Sequence, residues 1–353
     1  MAQRIGQVAF LDSLRGMSAL AVCWFHFSAN SMIGAGPIRT SGAYGWLGVE
    51  VFFVISGFII PLALLRERYS LSNYRTFLLK RLTRLYPPYL ASVALGLALL
   101  LIYSIYKGQP RVDLDANDLL LHLGLLNDLF GRPWINSIYW TLAIELQFYL
   151  MVGLLFPLLF SSEHWRRYVG YAAFVLPVFA LPSHIFLFHF SFLFLMGILR
   201  IQYASGFLGR LEYLTLLIVC SFGLFLVTGL VVLCAALFTV GAITFLKRRI
   251  PLLDNLGRIS YSFYLLHGSL GSLVLFVLLR FTMVSSELEK LLVLLLAVFT
   301  SACFATVAYY LIERPAKRCS SRIDYRKSEI KEPSPRERVV DHTQIIIDTR
   351  LSK

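Results

Sequence analysis

Two polar residues in the first apolar stretch of the chain are of types that bind anions and move protons. Arg15 and His26 stand eleven residues apart, about three helical turns, so they share one face and lie about 16 Å apart along the axis. Arg15 can bind a phosphate or carboxylate, and His26 can act as a general base near neutral pH. Alternatively, Arg15 extends to the lipid headgroups beside Asp12, and His26 is an interfacial residue without chemistry.

Two carboxylates lie inside later apolar stretches, where an ionisable group is costly and usually faces an interior. Glu50 lies in the second stretch and Glu145 in the fourth, with Tyr149 on the same helical face four residues later. With the orientation inferred below, both carboxylates lie at the depth of His26. Because a carboxylate can orient an imidazole, we predict His26, Glu145 and Glu50 as catalytic residues. Interhelical hydrogen bonds that hold the bundle together are the alternative.

Arg81 and Arg84 precede the third apolar stretch and share a helical face. Their guanidinium groups suit a phosphorylated ligand that arrives from the cytoplasm, although binding of lipid headgroups is an alternative role. Other polar residues of the same stretches are candidates to line a pore: Asp12, Ser56, Trp140, Tyr149 and His267. His267 can equally be a packing residue. The five cysteines show no metal-ligand spacing, so no metal site is predicted.

The elements that must position these residues are membrane helices. Of the 353 residues, 58% are apolar and 15% are charged, against about 25% charged in soluble domains. The sequence predicts an all-α, polytopic integral membrane protein with about ten helices, because runs of about 20 apolar residues recur. The predicted spans are 8–27, 44–65, 85–106, 138–160, 168–181, 183–203, two within 214–246 separated near Thr228-Gly229, 259–281 and 291–312.

The chain has a net charge of +13, which we interpret as an excess of basic residues in cytoplasmic segments. With both termini in the cytoplasm, 26 of the 33 lysines and arginines lie in cytoplasmic segments and 6 in outside segments, as the positive-inside rule requires. We therefore expect contact with membrane lipids in a bacterial inner membrane, and no nucleic-acid partner. Residues 1–315 form the predicted membrane domain, and 316–353 a basic, polar cytoplasmic tail that is disordered.

Six ordered segments resemble the membrane-bound acyltransferase-3 family. They are Phe10 to Gly16 leading to His26, Gly48 to Gly57, Arg81-Leu82-Thr83-Arg84, Trp140 to Glu145, Gly257 to His267, and Glu313-Arg314-Pro315. The resemblance implies ten helices around a pore, an acyl-CoA donor that is usually acetyl-CoA, and an acceptor hydroxyl on the far side of the membrane. It also implies that His26 is the essential catalytic residue and that Arg15, Arg81 and Arg84 serve the donor.

Two departures from the family pattern accompany the resemblance. Ser13 stands where the family often has glycine. Some relatives also carry a fused extracytoplasmic esterase-like domain. In this chain we expect the basic tail instead of such a domain.

The function expected is a membrane O-acyltransferase that moves an acyl group, most often acetyl, from cytoplasmic acyl-CoA to an extracytoplasmic or lipid-linked glycan. Exopolysaccharide, O-antigen and a periplasmic glucan are all candidate acceptors, and succinyl or a longer acyl group remains an alternative to acetyl. Acyl-CoA is a co-substrate, and no bound cofactor is expected. Transfer is direct or passes through an acyl-histidine. A transporter or flippase of a lipid-linked sugar is the alternative, although no internal repeat supports it. No oligomeric state is predicted.

Overall fold

A computed structural model describes residues 10–30, 33–108, 115–246, 248, 250–281 and 286–325. All regular elements within these residues are helical, as the sequence predicts. The first eight helices are α1 (Leu11–Ser28), α2 (Pro37–Ser41), α3 (Leu47–Arg66), α4 (Tyr74–Tyr106), α5 (Ala116–Gly124), α6 (Trp140–Leu159), α7 (His164–Val175) and α8 (Ser191–Ala204). The others are α9 (Arg210–Thr228), α10 (Leu230–Phe245), α11 (Pro251–Arg258), α12 (Ser260–Leu266), α13 (Ser272–Phe281), α14 (Glu287–Ala308) and α15 (Arg314–Ser321).

Seven helical segments of the described chain are long and apolar enough to cross a membrane. They are Leu47–Arg66, Leu71–Tyr106, Ser137–Leu159, Leu187–Ala204, Arg210–Thr228, Ser260–Phe281 and Glu287–Ser321. The chain is therefore a multi-pass membrane protein, as predicted. The count of about ten spans and the orientation of the termini stay predictions.

The long apolar run 214–246 divides at the predicted place. α9 ends at Thr228 and α10 begins at Leu230. Gly229 between them has φ +86°, a left-handed conformation that glycine adopts without strain. The predicted break is confirmed.

The helix at the predicted fifth span, 168–181, begins four residues earlier and ends six residues earlier than predicted. The helix there is α7, His164–Val175, and a 3₁₀ turn over Leu176–Phe179 follows it. Pro177 lies in that turn, where its ring and missing N–H prevent the helix from continuing. The twelve residues of α7 reach about 18 Å, short of the roughly 30 Å hydrocarbon core.

The ordered chain extends beyond the predicted domain boundary at residue 315. α15 continues to Ser321, and its Ser320 hydroxyl donates to the Lys80 carbonyl of α4 at 2.7 Å. Further on, the ring of Tyr325 lies 5.2 Å from the Lys80 ammonium. The predicted disorder is therefore wrong for residues 316–325, which contact α4; the domain boundary itself stays a prediction. The rest of the predicted tail, 326–353, lies outside the described residues.

Glycines allow α1 and α11 to touch along their backbones. A Cβ atom on Gly16 would overlap the Leu253 carbonyl, and one on Gly257 would overlap the Asp12 carbonyl. Small residues at such crossings are typical of membrane helix packing. This contact fixes the N-terminal half of α1, which carries Arg15.

Stacked aromatic rings join α3, α6 and α8 in the core. The rings of Phe148 and Phe194 stack with centroids 4.2 Å apart, and Phe53 lies 4.9 Å from Phe194. All three rings are at most 3% exposed, and aromatic pairs of this kind add stability beyond the area that they bury. The packing sets the register of α3 and α6, which carry Glu50 and Glu145.

Candidate active site

A cavity of about 110 Å³, which we call the arginine cavity, lies between α1, α3, α4, α6 and α12. Its polar wall consists of Arg15, Ser56, Arg81, Arg84, Thr141, Glu145, Tyr149, Ser260, Tyr261 and Tyr264. Both elements of the predicted donor site, the arginine of α1 and the pair on α4, thus meet in one place. The volume is below the roughly 300–1,000 Å³ of typical ligand pockets, so it suits part of a large ligand.

The arginine cavity holds more positive than negative charge. Among the described residues, none of its three arginines forms an ion pair, and Glu145 is the one acidic lining residue. Arg81 is 9% exposed, and its guanidinium lies 5.5 Å from the Phe77 ring and 5.9 Å from the Tyr149 ring. Unpaired charge in a low-dielectric site is costly, so this wall is suited to an anion.

Two buried polar atoms of the wall also lack partners. Arg81 Nε and Ser260 Oγ have no hydrogen bond within the described part of the chain. Most buried polar atoms in proteins are hydrogen-bonded, and exceptions call for an explanation. A ligand with acceptor oxygens, such as a phosphate, would satisfy the donors of the wall.

Glu145 belongs to the arginine cavity and is not hydrogen-bonded to His26. Tyr149, one turn later on α6, donates its phenol O–H to the Glu145 carboxylate. Glu50 is 7% exposed, and its Oε2 is buried without a partner. Within the described residues, no hydrogen bond or ion pair joins His26 to either carboxylate.

His26 lies beside a second histidine outside the arginine cavity. The ring centroids of His26 and His267 are 5.3 Å apart with an interplanar angle of 43°. His26 is half-buried, whereas His267 is 0% exposed and follows directly after α12. We call these residues the histidine pair. Arg15 and His26 thus lie in two different places, one in the arginine cavity and the other in the histidine pair.

Tyr264 of α12 connects the two places, and the sequence analysis does not identify it. Its ring lies 5.6 Å from the His267 ring, while its hydroxyl is 3.0 Å from Thr141 Oγ1 on the wall of the arginine cavity. The signal in the sequence is its spacing: Tyr264 stands three residues before His267 and three after Tyr261, which also lines the cavity.

The remaining candidates for a pore lining divide into two groups. Ser56 and Tyr149 line the arginine cavity. Trp140 instead packs its ring 5.6 Å from Phe190. Asp12 does not line the cavity but interacts electrostatically with Arg15.

The Glu313-Arg314-Pro315 segment has a structural role at this site. Glu313 is 0% exposed. Its Oε2 accepts from the Ser262 backbone N–H at 3.1 Å and from the Ser262 hydroxyl at 2.5 Å, while Lys317 Nζ lies 2.6 Å from Oε1. These bonds tie α12, which supplies the tyrosines of the cavity wall, to the end of α14 and the start of α15.

Comparison with known proteins identifies the family of the chain. A family model described as an acyltransferase domain matches residues 8–312. The chain belongs to this acyltransferase family. That span contains every element of the arginine cavity and the histidine pair, and it ends just before Glu313.

Individual relatives match a smaller part of the chain. The O-acetyltransferase OatA of Staphylococcus aureus is 30% identical over 163 residues, 43% of this chain and 24% of the relative. The peptidoglycan O-acetyltransferase OatA of Listeria monocytogenes is 29% identical over 158 residues, 41% of this chain and 23% of the relative. The aligned part is thus about a quarter of the length of these relatives. No solved structure matches the chain.

Proposed function

We propose that the protein is an O-acyltransferase of the bacterial inner membrane. It moves an acyl group, acetyl by our proposal, from cytoplasmic acyl-CoA to a hydroxyl of an extracytoplasmic or lipid-linked glycan. The names of two relatives, both O-acetyltransferases, support acetyl as the group, and the peptidoglycan acceptor in one name supports a glycan. The observation that carries the proposal is the excess of positive charge in the arginine cavity.

The arginine cavity binds the donor. Coenzyme A presents phosphates, which guanidinium groups bind through charge-assisted hydrogen bonds. Arg81 and Arg84 on α4 hold these phosphates, and Arg15 supports the pantetheine arm that extends along α1 toward His26. The cavity volume of about 110 Å³ accommodates part of the donor, so the nucleotide end stays at the cytoplasmic mouth.

Chemistry takes place at the histidine pair. His26 removes the proton from the acceptor hydroxyl, whose oxygen attacks the thioester carbonyl. A C–O bond forms, the C–S bond breaks, and the thiolate of coenzyme A leaves and takes up a proton. In the variant through an acyl-histidine, His26 itself attacks the carbonyl and the hydroxyl then removes the acyl group. The thioester supplies the driving force for both routes.

Donor binding is tested by calorimetric titration of coenzyme A into the purified protein. We expect wild type to bind, and Arg81→Gln to bind about 10–100-fold more weakly, because a buried charge-assisted bond is lost. The matched control is Arg75→Gln, an exposed arginine on the same helix, which should bind as wild type does. Equal affinity in all three proteins would remove the arginine cavity as the donor site.

Transfer is tested in membranes supplied with acetyl-CoA radiolabelled in the acetyl group. The proposal predicts alkali-labile label in the glycan fraction of cells that carry the gene, and none in a deletion strain. Loss of glycan export on deletion, with acylation unchanged, would support a flippase of a lipid-linked sugar instead.

A further inference from the structure

The two ring nitrogens of His267 have different surroundings. Nδ1 lies 2.7 Å from the Tyr264 carbonyl oxygen. A carbonyl only accepts, so Nδ1 carries the proton of the neutral ring and Nε2 presents a lone pair. Nε2 is buried and has no hydrogen-bond partner among the described residues. His267 is therefore a fully buried acceptor that lacks a donor.

His122 shows how a structural histidine in this protein is satisfied. It is 1% exposed, and its Nδ1 lies 2.7 Å from the Asp118 carbonyl. Its Nε2 accepts from the Ile135 backbone N–H at 3.0 Å. Both histidines thus carry the proton on Nδ1 and are almost fully buried. The Nδ1 of His122 also has the Asn127 side-chain nitrogen at 3.1 Å. At Nε2 the two differ, because that of His122 accepts from the chain and that of His267 has no partner among the described residues.

His26 is suitably placed to supply the missing donor. The centroid separation of 5.3 Å matches two imidazoles joined through facing nitrogens, since an N–H···N bond of about 3 Å adds to about 1.1 Å from each ring centre to its nitrogen. His26 is half-buried and has no hydrogen bond to Glu50 or Glu145 in the described chain. A ring nitrogen of His26 is therefore the candidate donor to His267 Nε2.

The backbone around His267 is shaped for this contact. His267–Gly271 is one turn of π-helix, a feature that often marks functional sites. Phe27, the residue after His26, packs on the same turn, because a Cβ atom on Gly271 would lie 2.6 Å from its Cζ. Two consecutive residues of α1 therefore dock on one π turn, and this holds the two rings in register.

We propose that His267 is a positioning residue for His26. Its Nε2 accepts a hydrogen bond from one His26 nitrogen, which leaves the other His26 nitrogen deprotonated and directed at the acceptor hydroxyl. When that nitrogen takes the hydroxyl proton, the same hydrogen bond stabilises the imidazolium. His26 then releases the proton to the leaving thiolate, and His267 keeps its own proton on Nδ1 throughout. This role rests on the proposed function.

Two substitutions at His267 separate hydrogen bonding from packing. In His267→Asn, the side-chain amide can still donate to the Tyr264 carbonyl but nothing replaces Nε2, whereas His267→Gln places an amide oxygen near the Nε2 position. We expect His267→Asn to lower kcat for acetyl transfer about 100-fold with KM for acetyl-CoA within twofold of wild type. We expect His267→Gln to keep at least a tenth of the wild-type kcat.

The control is His189→Asn, because the Nδ1 of His189 also contacts a carbonyl, that of Pro182, at 3.0 Å. This variant should transfer acetyl at the wild-type rate. Titration of coenzyme A is the second measurement, and we expect His267→Asn to bind it as wild type does.

Three results would overturn the inference: a wild-type kcat in His267→Asn, equal kcat in the Asn and Gln variants, or loss of coenzyme A binding in His267→Asn. The last result would make His267 a structural residue. Each of these leaves the proposed function intact as long as the wild-type protein transfers acetyl. A wild-type protein without transfer would overturn the proposed function, and the role of His267 with it.

Discussion

Tyr149 donates its phenolic proton to the Glu145 carboxylate on the wall of the arginine cavity. The bond holds the one acidic group of that wall against its own helix, and Glu145 forms no ion pair with an arginine among the described residues. The three guanidinium groups thus stay available to an incoming anion. Tyr149 has a second contact with the donor site, because its ring lies 5.9 Å from the Arg81 guanidinium.

Removal of this hydrogen bond should weaken donor binding. In Tyr149→Phe, the freed Glu145 can pair with a guanidinium and compete with the donor phosphates. We expect KM for acyl-CoA to rise about tenfold, the effect of losing roughly 1.4 kcal/mol of binding, with kcat nearly unchanged. The control is Tyr74→Phe, whose hydroxyl bonds the Leu150 carbonyl of α6 at 3.2 Å outside the cavity. Equal KM values in both variants would contradict this role.

The buried charge of Arg81 should lower the stability of the ligand-free protein, although it contributes to the binding of coenzyme A. Replacing an unpaired buried cation by an apolar residue of similar length removes a desolvation cost. We expect Arg81→Met to raise the apo melting temperature by about 2–4 °C, the shift that roughly 1 kcal/mol produces in a large domain. At one fixed concentration of coenzyme A, near the Kd of wild type, the ligand should raise the melting temperature of wild type clearly more than that of the variant.

The matched control for this experiment is Arg75→Met on the exposed face of α4. It should leave both the apo melting temperature and the response to coenzyme A unchanged. A lower apo melting temperature in Arg81→Met would show that Arg81 is paired in the native protein, and the arginine cavity would not then be an open anion site.

Glu313 should be one of the most sensitive positions for stability. Glu313→Ala leaves the half-buried Lys317 without its partner and the Ser262 N–H without an acceptor. Breaking a buried pair in this way costs about 3–5 kcal/mol, so we expect a large fall in the melting temperature in detergent. The control is Arg318→Ala, because Arg318 is an exposed residue of α15, the helix that carries Lys317. If Glu313→Ala melted at the same temperature as wild type and Arg318→Ala, Glu313 would not anchor α12.

The segment between α4 and α6, which contains α5, should become less stable at low pH. Asp118 accepts hydrogen bonds from Arg132 Nη2 and the Asp115 N–H, both at 3.0 Å, and the Arg132 bond is the main reason that the pKa of Asp118 lies below its ordinary value. A carboxyl with a lowered pKa stabilises the folded state above its unfolded value of about 3.9, and this stability is lost as pH falls through the folded pKa.

Hydrogen exchange over residues 115–139 tests this pH dependence. We compare protection factors, which correct for the slower intrinsic exchange in acid. They should be equal at pH 7 and pH 5 and should begin to fall below about pH 4, the region of the unfolded pKa, as the pH approaches the lower folded pKa of Asp118. Asp118→Asn should exchange faster at pH 7 and show no such acid transition. The account of this segment is wrong if protection in wild type is the same at pH 3 and pH 7.

Features that depend on local sequence were predictable. The all-helical architecture follows from runs of apolar residues, and the division between α9 and α10 follows from Thr228-Gly229. The meeting of Arg15 with Arg81 and Arg84 was expected from the shared helix faces and from the family resemblance, and all three residues line one cavity.

Features that depend on the register between distant helices were not predictable. The sequence predicted the same role for Glu145 and Glu50, as catalytic carboxylates at the depth of His26. In the structure Glu145 lines the arginine cavity and Glu50 does not. The bonds from Ser262 to Glu313 join residues 51 positions apart. Neither they nor the π turn at His267 has a signal in hydrophobic periodicity, because both arise from how helices pack after they have formed.

The most direct test of the central claim is made in the native host. The gene is deleted and restored as wild type or as His26→Ala at equal membrane expression, and ester-linked acyl groups on the surface glycans are measured by proton NMR. We predict that wild type restores an acyl signal, at a sugar position that the spectrum identifies, and that His26→Ala does not. Equal restoration by both versions would contradict the account, because His26 could not then be the residue that carries out the chemistry.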